Sequence, residues 1–138
     1  MRILIVEDDA MFAFAIEDAL SAAKHEIVGF ARDGESAVEL AERERPDLAL
    51  VDLRLARQTS GAIAAREILD RYRIPSIFIS SSPEDCRKEA KPSGAWGCLS
   101  KPFTDRDLVN VVEIASAMMT GHHQHNLRPR GFELYPPI

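Results

Sequence analysis

Along this chain, acids, hydroxyls and a single lysine stand at the ends of short apolar runs, and their types suit the holding of a hard cation. The run Arg2–Val6 ends at Glu7, Asp8 and Asp9, and the run Asp47-Leu-Ala-Leu-Val51 ends at Asp52. Pro75-Ser-Ile-Phe-Ile79 leads into Ser80, Ser81 and Ser82, and Gly94-Ala-Trp-Gly-Cys-Leu-Ser100 leads into Lys101-Pro102. Carboxylates gathered in one place repel each other unless a cation neutralises them, and oxygen donors with room for water suit Mg2+. Asp9 reads differently, since an acid placed just before a helical pattern caps that helix and favours its positive end. A strand-end Asp, a turn Ser or a Lys-Pro pair is common in any protein, so the signal lies in their order and spacing.

The elements that must position these residues alternate. Short runs rich in Ile, Val and Leu take turns with longer stretches of helical spacing, which predicts a parallel sheet with crossover helices. Strand one is Arg2–Val6, and the helix after it carries Phe12, Ile16, Ala19, Leu20 and Ala23 on one face. Strand two is Glu26–Ala31. A helix from Glu35 to Arg45 turns Ala37, Val38 and Ala41 inward and stops before Pro46. The apolar strand at 47–51 is the pattern of a central parallel strand covered on both faces. Helix three runs from Ala62 to Tyr72 with Ile63, Ile68 and Leu69 as its apolar positions, and strand four is Pro75–Ile79. Pro83–Ala90 has a proline start but few apolar anchors, and Pro92 blocks continuation, so a short helix that is cheap to move is expected. Strand five is Gly94–Ser100, and Thr104 caps a last helix with Leu108, Val111, Val112, Ala115 and Met119 at helical spacing. In open parallel sheets, functional groups gather just beyond the carboxyl ends of the strands, where these residues fall.

Composition narrows the class. The chain has 138 residues, 46% hydrophobic and 28% charged, which fits one globular domain. A net charge of -5 argues against direct binding of nucleic acid. The opening MRILIVEDD reaches three acids after too short an apolar run for a secretory segment or a membrane span, so a cytoplasmic protein without membrane insertion is expected. Cys86 and Cys98 match no zinc or disulfide framework and are expected to be unreactive thiols. The composition changes after Gly121, which divides the chain into a domain at 1–121 and a tail at 122–138, either flexible or packed on the domain or a partner. His122, His123 and His125 are read as part of that solvated tail.

The motifs MRILIVEDD, DLALVDL, IPSIFISSS and LSKPF, in this order and spacing over residues 2–119, resemble the response-regulator receiver domains of two-component signalling. The resemblance implies a flavodoxin-like, doubly wound α/β fold with five parallel strands in the order 2-1-3-4-5 and five helices. It implies Asp52 as phosphoacceptor and Mg2+ held by Asp8, Asp52 and the Arg54 backbone carbonyl, with Glu7 acting through a water. Lys101 would reach a phosphoryl oxygen, and the Ser80 hydroxyl would turn inward once the phosphoryl group is present. The implied partners are a histidine kinase or a histidine phosphotransfer protein and an unknown downstream protein, with the chain a monomer or weak homodimer. The implied activity is no more than catalysis of its own phosphorylation and slow self-dephosphorylation.

The chain departs from the family pattern at two places. The family's aromatic residue three positions before the lysine is Cys98 here, so coupling between Ser80 and the surface around strand five is expected to be soft. Trp96, two residues earlier on the same strand face, joins Cys98 as a candidate output face. Leu53-Arg-Leu-Ala56 lacks the family's frequent proline, and Arg54 beside the acceptor is read as steering a phosphodonor or changing the hydrolysis rate. Two alternatives stay open: a receiver-like interaction module that takes no phosphate, and a receiver fragment of a longer regulator. A haloacid-dehalogenase-type phosphatase needs a second Asp where Arg54 stands, and a flavin carrier would not place three acids in its phosphate loop.

Overall fold

The computed structural model describes residues 1–55, 59–121 and 128–135. Its sheet has the order β2-β1-β3-β4-β5-β6, with β1 Arg2–Val6, β2 Glu26–Ala31, β3 Leu48–Asp52, β4 Ser76–Ser80, β5 Gly97–Ser100 and β6 Phe132–Leu134. The first five strands are parallel and follow the expected order. The sixth, antiparallel to β5, is an addition to the expected five and comes from the tail.

Because strand side chains alternate, each apolar strand feeds two core layers. Ile3, Ile5, Leu48, Leu50, Ile77 and Ile79 meet α1 (Ala10–Ala22) and α5 (Asp105–Met119). Leu4, Val6, Ala49, Val51 and Phe78 meet α2 (Gly34–Glu44), α3 (Gly61–Tyr72) and the short helical segment after β4. The starts of α1 and α5 are built as the sequence suggests, and Ser60 adds a cap at α3. Asp9 accepts from the backbone N–H groups of Met11 and Phe12, Ser60 from that of Ala62, and Thr104 from that of Asp107. Among the described residues, no helix is long and apolar enough to cross a membrane.

Three expectations are corrected. In α3 the buried face is made of Gly61, Ala62, Ala64, Ala65 and Ile68, while Ile63 is 72% exposed. Small side chains let the helix lie close to the sheet, so burial follows size rather than hydrophobicity there. Trp96 precedes β5 instead of lying in it, and it packs partly into the α1/α5 layer, whereas Cys98 faces the opposite layer. They do not share a face. The two cysteines are also not thiols: Cys86 and Cys98 form a disulfide. Cys98 is 2% exposed and Cys86 fully buried, so neither offers a surface to a partner in this state.

The helical segment after β4, called α4 below, begins as Pro83–Asp85, widens to π-type pitch over Cys86–Ala90 and tightens to 3₁₀ over Lys91–Ser93. Its shortness was expected. Its freedom to move is limited by the disulfide, which fixes its first full turn to β5.

β6 covers what would otherwise be the sheet's edge at β5. Phe132 and Tyr135 are 5% and 4% exposed, and the Tyr135 N–H donates to the Trp96 carbonyl at 2.8 Å. Gly97 makes the fit, because a Cβ there would come within 2.7 Å of the Phe132 ring and of the Glu133 carbonyl. Gly97→Ala is therefore expected to release β6 and cost about 1–3 kcal/mol of stability by overpacking. Hydrogen exchange should report it, with protection lost at 132–135 and retained at β1 and β3. Unchanged protection of Tyr135 would contradict this account of the seat.

Candidate functional site at the carboxyl edge of the sheet

Parallel register brings the strand ends side by side. Val6 pairs with Val51, Asp52 with Ile79 and Ser80 with Ser100, so Glu7, Asp52, Ser80 and Lys101 emerge along one edge. The Lys101 N–H donates to the Ser80 carbonyl at 2.9 Å, which continues the ladder one step past β5. Gly61 lets α3 start against this edge. Its N–H donates to the Leu53 carbonyl at 3.1 Å, and any Cβ would run into the Asp52 backbone.

At the centre, both carboxylate oxygens of Asp52 have donors. The Arg54 N–H gives to Oδ1 at 3.0 Å and the Lys101 ammonium to Oδ2 at 2.9 Å. The Asp52 side chain is 11% exposed, and Lys101 also stands 3.8 Å from Glu7 Oε1. The lysine is aimed by an aromatic contact that sequence reasoning assigned only to packing: its Nζ lies 4.5 Å from the Phe12 ring centroid, and Phe12 meets Phe103 edge-on. A cation over a ring that lines the acid cluster has little reason to swing away.

Glu7 is buried, and its Oε2 accepts from the Asp9 N–H at 3.1 Å. Burial, followed by hydrogen-bonding contact with the Asp52 carboxyl, pushes the Glu7 carboxyl up to about 8, while the Asp9 N–H pulls the other way. Asp8, half-buried between the helix cap and Glu7, contributes to the same crowding. Asp9 turns to the helix start and takes no part in the cluster's contacts with Lys101.

Ser80 is buried, and its Oγ accepts from the Ser82 N–H at 3.1 Å; the Ser82 hydroxyl in turn caps the next segment through Asp85 N–H at 3.1 Å. The hydroxyl therefore sits on the path from the strand end into α4. Arg54 is exposed, but its charge is already engaged by acids of this chain. Its guanidinium bonds Glu89 Oε1 at 3.0 Å and lies 3.4 Å from Asp85, so α4 is tied to the loop that follows Asp52. These acidic partners on α4 were invisible to a strand-end reading. Ala56 falls outside the described residues, as do His122, His123 and His125.

The donor set fits a hard divalent cation on its chemistry. Among the described residues no three Asp, Glu, His or Cys side chains stand as a ready-made metal cluster. Two direct carboxylates, a backbone carbonyl and waters do not require one. The observation in favour is the crowding itself: Glu7, pushed up first by burial and next by the Asp52 carboxyl, stands with Asp8 and Asp52 among acids whose charge a cation would neutralise.

Comparison with known proteins agrees with this geometry. The family profile of the response regulator receiver domain matches residues 3–113. The chain is 38% identical over 115 residues to the transcriptional regulatory protein PdtaR of Mycobacterium tuberculosis, covering 83% of this chain and 56% of that one. It is 34% identical over 115 residues to the phyllosphere-induced regulator PhyR of Methylorubrum extorquens, covering 83% of this chain and 43% of that one. The chain thus spans about half the length of these curated relatives. Among solved structures, the signal receiver domain of a modulated diguanylate cyclase from Desulfovibrio desulfuricans G20 superposes with TM-score 0.78 at 32% identity, covering 86% of this chain and 95% of that one.

Proposed function

The chain belongs to the response regulator receiver domain family of two-component signalling, and from that premise we propose that it is a phosphorylation switch with Asp52 as the acceptor. One observation carries the proposal: Asp52 is the strand-end carboxylate that receives both a backbone N–H and the lysine ammonium while standing against a second, crowded acid. An Asp52 oxygen attacks phosphorus as the bond to the donor's histidine nitrogen breaks, leaving an acyl phosphate. Lys101, already 2.9 Å from Oδ2, exchanges the carboxylate for a phosphoryl oxygen. Ser80 gives up the Ser82 N–H and turns its hydroxyl to the phosphoryl group, which moves the cap of α4. Asp8, Asp52 and the Arg54 carbonyl would hold Mg2+, with Glu7 acting through a water; when bound, the ion offsets phosphoryl charge. The donor is a histidine kinase or histidine phosphotransfer protein, the output is contact with a downstream protein, the setting is cytoplasmic, and no enzymatic activity exists beyond self-phosphorylation and slow hydrolysis.

The test is intact mass after incubation with acetyl phosphate and Mg2+. Gain of one phosphoryl group, prevented by a chelator, is expected. An unchanged mass under both conditions would favour the phosphorylation-independent interaction module.

A second prediction separates two neighbouring acids. Asp8→Ala is expected to weaken Mg2+ binding at least about tenfold, the scale on which loss of an ordering group acts at metal sites. Asp9→Ala should leave Mg2+ binding nearly unchanged and cost about 1 kcal/mol through the lost helix cap. Calorimetric titration in which Asp9→Ala is the worse binder would reverse these roles.

A further inference from the structure

A second pair of reactive groups lies in the path along which phosphorylation would act. The Cys86–Cys98 bond joins α4 to β5. Cys98 pairs with Phe78, two residues before the Ser80–Ser100 pair at the strand ends. α4 is thus held at three points: by Ser82 at its cap, by the Arg54 pairs to Glu89 and Asp85, and covalently at Cys86. On the phosphorylation reading the first two would answer to the state of Asp52. The third does not.

The bond can be approached. A cavity of about 330 Å³ opens between α4 and residues 128–135, with Cys86 and Cys98 among the residues that line it. Among the described residues, Arg87, Arg128 and Arg130 line it against one acid, Glu133, which Arg87 already pairs at 2.9 Å. The sulfurs are nearly without exposed surface, so a reagent reaches them when α4 opens locally. The segment changes helical pitch twice within eleven residues, so local fraying around the fixed Cys86, short of release of α4, is enough to bring a sulfur to the cavity. A cationic mouth over a disulfide favours an anionic attacking thiol and steadies the thiolate that leaves.

We propose that Cys86–Cys98 is a redox-active site, reduced by a small carboxylate-bearing thiol entering this cavity, and that reduction frees α4 to follow Asp52 phosphorylation. One thiolate attacks a cysteine sulfur, forming a mixed disulfide and expelling the other cysteine as a thiolate, which takes a proton. A second thiolate attacks the small-molecule sulfur of the mixed disulfide, forming the oxidised dimer and expelling the remaining cysteine as a thiolate, which also takes a proton. Two electrons pass from two small thiols to the protein. Only the effect on α4 rests on the phosphorylation reading.

The experiment uses the full chain in its oxidised form, and alkylation followed by intact mass counts thiols. No alkyl group is expected before reduction and two after it. At equal thiolate concentration, glutathione is expected to react about tenfold faster than cationic cysteamine at low salt, the low end of what a charged cleft provides. High salt, or Arg128→Glu with Arg130→Glu, should remove the preference. Equal rates for the two reagents would overturn the assigned thiol class, and free cysteines that no oxidant can couple would overturn the site. Hydrogen exchange at residues 83–100, with and without acetyl phosphate and Mg2+, then tests the lock. A phosphorylation-dependent change is expected in the reduced protein and in Cys86→Ser or Cys98→Ser, and at least a fivefold smaller one in the oxidised protein. Equal changes in both redox states overturn the lock. Absence of phosphoryl mass in either state would overturn the phosphorylation reading and the coupling with it, while the thiol rates still decide the redox site.

Discussion

Asp52→Asn is expected to abolish phosphoryl uptake from acetyl phosphate while leaving the fold in place. The amide can still accept the Arg54 N–H through its oxygen, so the turn after β3 survives. Its nitrogen, however, would face the Lys101 ammonium where Oδ2 now accepts at 2.9 Å, and an amide offers neither the charge nor the nucleophilic oxygen for attack on phosphorus. Loss of the ion pair costs about 1–2 kcal/mol for a partly shielded bridge. Thermal unfolding should accordingly shift by a few degrees only. Mass spectrometry decides the main point: a gain of phosphoryl mass by Asp52→Asn equal to that of wild type would assign the acceptor elsewhere. Asp9→Asn, at the helix cap, should label normally.

The sheet and its functional edge were legible because the responsible signals are local. Arg2–Val6 and Glu26–Ala31 match to the residue, since short runs rich in Ile, Val and Phe between helical stretches have few other interpretations. The site followed from topology: once the strands are parallel, whatever ends each strand must meet its neighbours' ends. What escaped depends on partners distant in sequence. Phe132–Leu134 is too short to show a period, and its reason for being a strand is the Gly97 gap on β5. The Cys86–Cys98 bond depends on where α4 lies over β5, which no spacing of two cysteines encodes. Ile63 was assigned inward by its chemistry, yet the register of α3 is set by the alanines that allow close approach. Phe12 reads by its spacing as a core position, and its second role depends on Lys101, 89 positions on, standing above its ring.

Glu7 makes stability depend on pH in the direction opposite to that of an ordinary surface carboxylate. Its folded-state value is pushed up from 4.5 to about 8, by burial first and by contact with Asp52 next. Between these limits the folded protein carries a proton that the unfolded chain has released, so the folded state binds more protons and loses stability as pH rises. The contribution is fully present below about pH 4.5 and gone once pH passes about 8. A shift of this size corresponds to about 3–5 kcal/mol at most. Urea unfolding in chelator-treated buffer should therefore show the midpoint falling from pH 5.5 to 8.5. Glu7→Gln keeps an oxygen for the Asp9 N–H and needs no proton, so the slope should flatten and the variant should exceed wild type at pH 8. Cation binding opposes the same proton. Mg2+ affinity of wild type is expected to rise with pH between 6 and 8, approaching about tenfold per unit, because the ion and the proton compete for one crowded set of oxygens. Parallel urea slopes for wild type and Glu7→Gln, together with Mg2+ affinity indifferent to pH, would show that the buried acid at the end of β1 is not the group that titrates.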